Sequence, residues 1–315
     1  MKKGRSITGS YRTGPGFTVN AYSEKWLRQG FPWVYPAEVA TGRARPGEIV
    51  TLHGASGDIL GSAIADDGWI AARRFRAEEG PIDGALLGAR VKAAHTLRRQ
   101  VLPPRTTAWR LVNAENDDLP GIRVDVWGDE VVISLDSPSL TGLLDPLCDA
   151  IVDAVGDLRA IHLAWRPDPR EKDRPMSPAR ILRGTPVAEV RVEERGVAFL
   201  VRPGESKDVG LFPDMRDNRA WLEPHWRGRE VLNLFAHTGA FSVCAAKGGA
   251  DTVSVDLSAH YLERAAENFA LNGLPPHTLL AEDAFKALDR FRRTGRLFDI
   301  VLLDPPGHSH STEGT

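Results

Sequence analysis

Between Glu230 and Leu303 the chain alternates short apolar runs with helical stretches, and the runs end in a glycine loop or an acid. Glu230–Phe235 reads as a buried strand, Ala236–Ala240 as a tight loop and Phe241–Gly248 as a helix. Thr252–Asp256 is a second strand. Ser258 is placed to cap the next helix, whose apolar face carries Leu262, Ala265, Ala266 and Phe269, and Asn272-Gly273 stops it. His277–Ala281 is a third strand, ahead of Asp283 and a helix over Ala284–Arg293. Phe298–Leu303 is a fourth, ending in Asp304-Pro305-Pro306. Such alternation folds as an open parallel sheet, with a ligand beyond the carboxyl ends of the strands.

Thr238-Gly239, Asp256, Asp283 and Asp304 occupy those ends. Gly239 lets the loop backbone approach a ligand closely. Asp256 follows Gly239 by 17 residues, the placement of an acid that takes ribose hydroxyls. The loop lacks both the G-x-G-x-x-G spacing and the P-loop pattern, which favours a nucleoside without phosphates over a dinucleotide.

The preceding residues read as two further units. The chain has 315 residues, 42% of them hydrophobic, enough for more than one core. Residues 1–16 read as a flexible end. Residues 17–85 show short apolar runs broken by Gly, Pro and Asp, the pattern of a small β-barrel. A linker helix, Leu86–Val101, opens a unit reaching residue 204. That unit holds strands at Trp109–Val112, Ile122–Trp127, Val131–Leu135 and Ala160–Trp165, and a helix around Leu140–Val155. A polar insertion at 166–178 and a hairpin over Val190–Val201 complete this α+β module. No apolar run spans a membrane and no secretory leader is visible; with only two cysteines, a cytoplasmic protein is expected.

Charge is uneven. Residues 1–110 carry 17 Lys+Arg against 9 Asp+Glu, and the remainder 23 against 33. A basic front half suits a polyanion, although solvated surface charge alone also produces such clustering.

Asn233-Leu234-Phe235-Ala236-His237-Thr238-Gly239-Ala240-Phe241, Val255-Asp256-Leu257-Ser258, Asn268 with Leu271-Asn272-Gly273, and Asp304-Pro305-Pro306 together resemble class I S-adenosylmethionine-dependent methyltransferases. The closer likeness is to the bacterial large-subunit ribosomal RNA cytosine-C5 methyltransferases that carry an N-terminal PUA domain. Pro32-Trp33-Val34-Tyr35 resembles the opening of that PUA domain. Asp117–Ile122 and Glu193–Gly196 resemble the middle domain. Glu205–Gly210, including Ser206-Lys207, through Asp214–Arg219 resembles the segment before the first strand. The likeness covers nearly the whole chain in order.

The resemblance implies a Rossmann-like methyltransferase domain over 205–315, an S-adenosylmethionine cofactor and an RNA partner, with dimerisation left open. Phe235, Ala236, His237, Thr238 and Gly239 would line the methionine end. Asp256 would hold the ribose, and Asp283, Ala284 and Phe285 would flank the adenine. Asp304 would sit near the sulfonium, with Pro305 and Pro306 presenting the turn to the target base. Arg216 is either a cofactor contact or one half of a surface ion pair. Arg43, Arg45, Arg73, Arg74 and Arg76 are candidate phosphate contacts. Trp33 and Trp69 are read as core more readily than as stacking groups.

Cytosine C5 is a poor nucleophile and needs a thiolate added at C6. Neither Cys148, in the middle unit, nor Cys244, spaced as a core residue, fits that role. The chain ends nine residues after Pro306, before the strand that bears the family's cysteine, so a fragment of a longer enzyme is expected. The alternatives are a non-catalytic or partner-completed binder of RNA and S-adenosylmethionine, or a methyltransferase for another base position or a small molecule. His308-Ser309-His310-Ser311 is read as solvated tail, and no metal is expected.

Overall fold

The computed structural model describes residues 16–165, 179–205, 208–275 and 277–305. Residues 1–15, the insertion at 166–178, Ser206-Lys207, Pro306 and the His308–Ser311 tail lie outside them. Gly16, assigned by sequence to the loose end, instead opens a strand, Gly16–Val19, that pairs in parallel with Ile49–His53.

The front unit is one six-stranded sheet. Its order is Trp33–Val34, Ala72–Arg76, Ile59–Ala65, Ile49–His53, Gly16–Val19 and Val39–Thr41. Helix Ala21–Arg28 begins where Asn20 Oδ1 accepts the Ser23 N–H at 3.0 Å. Leu27 from this helix joins Val19, Val50, Leu52 and Leu60 in the core.

The middle unit is a five-stranded sheet ordered Arg180–Gly184, Ala160–Trp165, Glu130–Leu135, Ile122–Trp127, Ala108–Asn113. Helices Gly84–Val101 and Leu144–Val155 pack together and share one core with the sheet. A buried polar joint ties this unit to the front one. Asp66 pairs with Arg73 and accepts the Ser137 and Ser139 hydroxyls at 2.8 and 2.9 Å.

The hairpin Val190–Glu194/Val197–Val201 stands apart from that sheet. Its Val192, Phe199 and Val201 bury against Val243 and Phe269, so this core runs across the boundary read at 204/205. Arg219 and Glu194, both buried, add a bidentate ion pair at 2.7 and 2.6 Å between the hairpin and helix Arg216–Leu222.

The C-terminal unit is a four-stranded, wholly parallel sheet: Thr278–Ala281, Asp251–Asp256, Glu230–Leu234 and Ile300–Leu303 in spatial order. The third strand thus lies at one edge and the fourth pairs with the first, a topological switch of the kind that opens a ligand crevice. Apolar residues fill the central strands because both faces are covered. Registers Leu234–Val255, Leu234–Leu303 and Asp256–Ala281 bring all four carboxyl ends level. Among the described residues, no helix is long and apolar enough to cross a membrane.

Candidate functional site

The first strand runs into a loop held from every side. The Ala236 N–H reaches Val255 O at 3.0 Å, and the Gly239 N–H closes a turn on Ala236 O at 2.8 Å. Thr238 is fully buried; its hydroxyl donates to Gly210 O at 2.6 Å and its carbonyl accepts Asn268 Nδ2 at 3.0 Å. Thr238 therefore faces the interior, and only its main chain is left to line a ligand. Phe235 and His237 take left-handed backbone conformations, with φ of 56° and 51°, as does Gly239 at 73°. A Cβ on Gly239 would meet Ala265 Cβ at 2.8 Å. Glycine is thus required twice, for its φ and for the close approach of helix Ala259–Leu271.

Asp256 ends the second strand beside this loop. Its Oδ2 accepts the His237 N–H at 2.8 Å and its Oδ1 the Ser258 N–H at 2.9 Å. Two main-chain donors fix the carboxylate and leave lone pairs on each oxygen. A carboxylate held this way accepts two vicinal hydroxyls without reorganising.

Asp283 ends the third strand as a helix cap. Its Oδ1 accepts the N–H groups of Phe285 and Lys286 at 2.9 and 3.0 Å, which leaves Oδ2 for a ligand. Ala284, read as an adenine neighbour, instead turns its methyl into the core with Leu234 and Val255. Phe285 is 74% exposed and stands free at the same rim. Asp304 and Pro305 are exposed at the end of the fourth strand. Arg216 is half-buried and pairs only with its neighbour Asp217, at 3.3 Å, among the described residues.

The rim at the strand ends carries the exposed Phe285, Asp304 and Pro305. Two cavities lie away from it. One, of about 370 Å³, sits between Arg45–Glu48 and Pro138–Gly142. The other, of about 300 Å³, lies at the opposite end of the sheet and is lined by Thr252, His277 and Arg296.

Three partners of the loop were not singled out as site residues by sequence. Asp208 places Oδ2 at 2.5 Å from His237 Nε2. Burial pushes its carboxyl up, but hydrogen bonds from His237, Tyr261 and the Gly210 N–H outweigh that and hold it below the usual carboxylate range. Burial and the bond to Asp208 push the Tyr261 phenol up to about 12. Asn268, fully buried, joins the loop to the hairpin by accepting the Leu200 N–H at 2.9 Å. Its place in the Asn268–Gly273 stretch was the available signal.

The front unit corrects the arginine set. Arg73 is buried against Asp66 and is no phosphate contact. Arg74 is half-buried, donating to Leu60 O at 3.2 Å, and Arg76 donates to Pro81 O at 3.2 Å. Arg43 and Arg45 are exposed, Arg45 being paired with Glu48 at 3.0 Å. Trp69 is 44% exposed rather than core, and Trp33 donates from Nε1 to Glu115 across the joint at 2.9 Å.

A parallel sheet with this strand order, a glycine loop after the first strand and a backbone-braced acid after the second define a Rossmann-like nucleoside-binding fold. Residues 145–313 match the family described as S-adenosylmethionine-dependent methyltransferase, and residues 17–76 match the PUA-like domain. The chain belongs to the S-adenosylmethionine-dependent methyltransferase family. It is 34% identical over 294 residues to a protein of Alteromonas mediterranea named Ribosomal RNA large subunit methyltransferase I, across 90% of this chain and 73% of that protein. A protein of the same name from Shewanella amazonensis is 33% identical over 293 residues, across 90% and 74% of the two. The crystal structure of SMU.776 complexed with SAH superposes with a TM-score of 0.85 at 24% identity, over 95% of this chain and 78% of the other, a likeness of fold.

Proposed function

We propose that this methyltransferase transfers a methyl group from S-adenosylmethionine to a base of large-subunit ribosomal RNA, with cytosine C5 as the acceptor. The RNA assignment is supported by the two relatives named above, whose similarity runs across the front, middle and C-terminal units alike. The observation that carries the donor site is the Asp256 carboxylate, braced by the N–H groups of His237 and Ser258 at the level strand ends.

The residues present fit the donor. Asp256 takes the ribose hydroxyls. The main chain of Phe235, Ala236, His237, Thr238 and Gly239 runs along the methionine end, and Phe285 with the free oxygen of Asp283 borders the adenine. When bound, S-adenosylmethionine supplies an electrophilic methyl on a sulfonium. Asp304 and Pro305 stand on the strand beside the loop, where an acceptor must be placed within about 3–3.5 Å of that methyl. The exposed Arg43 and Arg45 of the PUA-like unit are the phosphate contacts.

The two cysteines bear on the acceptor atom. Burial pushes the Cys148 thiol up and the Cys244 thiol up to about 12. Neither forms a thiolate near neutrality, so neither supplies the attack at C6. A base nitrogen, which needs no covalent attack, is the second reading.

The test is methylation of unmodified large-subunit ribosomal RNA, with mass spectrometry of the digested nucleosides. 5-Methylcytidine is the expected product where a thiolate other than Cys148 or Cys244 completes the site. An N-methylated nucleoside would establish the second reading, and donor binding without transfer would make the chain a binding module.

A further inference from the structure

His237 occupies a backbone conformation that glycine adopts freely and other residues rarely do, with φ of 51°. Its side chain is held on three sides. The ring lies 5.2 Å from that of Phe212 and 4.4 Å from that of Tyr261, by centroids, and Nε2 meets Asp208 Oδ2 at 2.5 Å. Asp208 is itself fixed, since it accepts the Gly210 N–H at 2.9 Å and the Tyr261 hydroxyl. From the same His237, the main-chain N–H donates to Asp256 Oδ2 at 2.8 Å. The histidine thus joins one carboxylate through its ring and another through its backbone.

We propose that Asp208 is a positioning residue for the methyl donor: by clamping the His237 ring it keeps His237 left-handed, and the His237 N–H then aims the Asp256 carboxylate at the ribose. This rests on the reading above that Asp256 binds the donor. It adds a residue that never touches the ligand, drawn from a segment before the first strand.

Asp208 is separable from the anchoring of its own segment. Arg264 Nη2 donates to Val209 O at 2.9 Å, and the Thr238 hydroxyl donates to Gly210 O at 2.6 Å. Removing the Asp208 carboxylate loses its bonds to the Gly210 N–H and the Tyr261 hydroxyl along with the hold on His237 Nε2, but leaves these two contacts, so the strap over the loop keeps two anchors while the ring keeps only its packing on Phe212 and Tyr261.

The experiment is a double-mutant cycle read by calorimetric titration with S-adenosylmethionine, with thermal unfolding recorded alongside. Asp208→Ala is expected to weaken binding about tenfold, about 1.4 kcal/mol. Asp208→Asn, which keeps an oxygen where Nε2 needs it, should weaken it about threefold. His237→Gly removes the ring that Asp208 holds while permitting the left-handed conformation, and its own affinity is the reference for the second half of the cycle. In the His237→Gly background both Asp208 substitutions should then have no further effect, since Asp208 acts only through the ring. A merely structural Asp208 would give the same loss in either background.

The proposal is overturned if Asp208→Ala binds as the wild type does, or if its loss persists undiminished beside His237→Gly. Absence of binding by the wild-type protein would instead sink the donor-site reading, and this inference with it.

Discussion

Gly239 and Ala265 approach so closely that a methyl group on the glycine would sit 2.8 Å from the alanine Cβ. This contact seats helix Ala259–Leu271 against the loop.

Gly239→Ala adds a Cβ both in a left-handed conformation and into that contact. Strain and overpacking together should cost about 2–4 kcal/mol of unfolding free energy, measured by urea denaturation. Adding Ala265→Gly removes the clash but not the φ penalty, so the double variant should recover part of the loss. Full additivity of the two substitutions would contradict the contact.

His277 gives the C-terminal sheet an acid sensitivity. Burial lowers its pKa from 6.5 to about 4, and its ring stacks on Phe269. The folded state therefore disfavours the charged form. The contribution is fully present above about pH 6.5, erodes as the unfolded chain takes up the proton, and is lost once pH falls through about 4. His277→Leu should flatten the stability profile across that window. An unchanged slope would show that another group titrates there.

The arginines of the front unit should divide by burial. Arg43→Ala and Arg45→Ala should weaken RNA binding and each reduce the steepness of its salt dependence by roughly one counterion. Arg73→Ala should leave that slope alone and lower stability by about 3–5 kcal/mol, because it strands Asp66 in the joint between units. Equal salt slopes for all three variants would contradict this division.

Glu194→Ala should destabilise by about 3–5 kcal/mol, leaving the buried Arg219 guanidinium unpaired. Hydrogen exchange would then rise in the Val190–Val201 hairpin ahead of the front sheet. Simultaneous loss of protection in both would indicate one cooperative unit instead.

The sheet was legible because buried parallel strands are continuous apolar runs, and because Ser258 and Asn272-Gly273 punctuate the helix between them. Gly239 and Asp256 were legible because their spacing is local. Side-chain direction was less so. Arg73 and Arg74 are adjacent in a strand whose pairing shifts register between Ser62 and Ala63, and alternation alone does not say which of the two turns inward. Thr238 and Ala284 follow the strand ends as the sequence reading placed them, but their side chains face the core. Asp208 lies 29 positions from His237, and no periodic pattern links a residue ahead of the sheet to one in its first loop. The Asp66–Arg73 pair had a visible cue, opposite charges seven positions apart, but its burial depends on Ser137 and Ser139 from a different unit.

The most direct test of the donor site is calorimetric titration of S-adenosylmethionine into the wild-type protein and Asp256→Ala. Losing a charge-assisted pair of hydrogen bonds predicts affinity at least about tenfold weaker in the variant, with the unfolding midpoint of the front units unchanged. Equal affinity in the two proteins would contradict the assignment of Asp256 to the ribose.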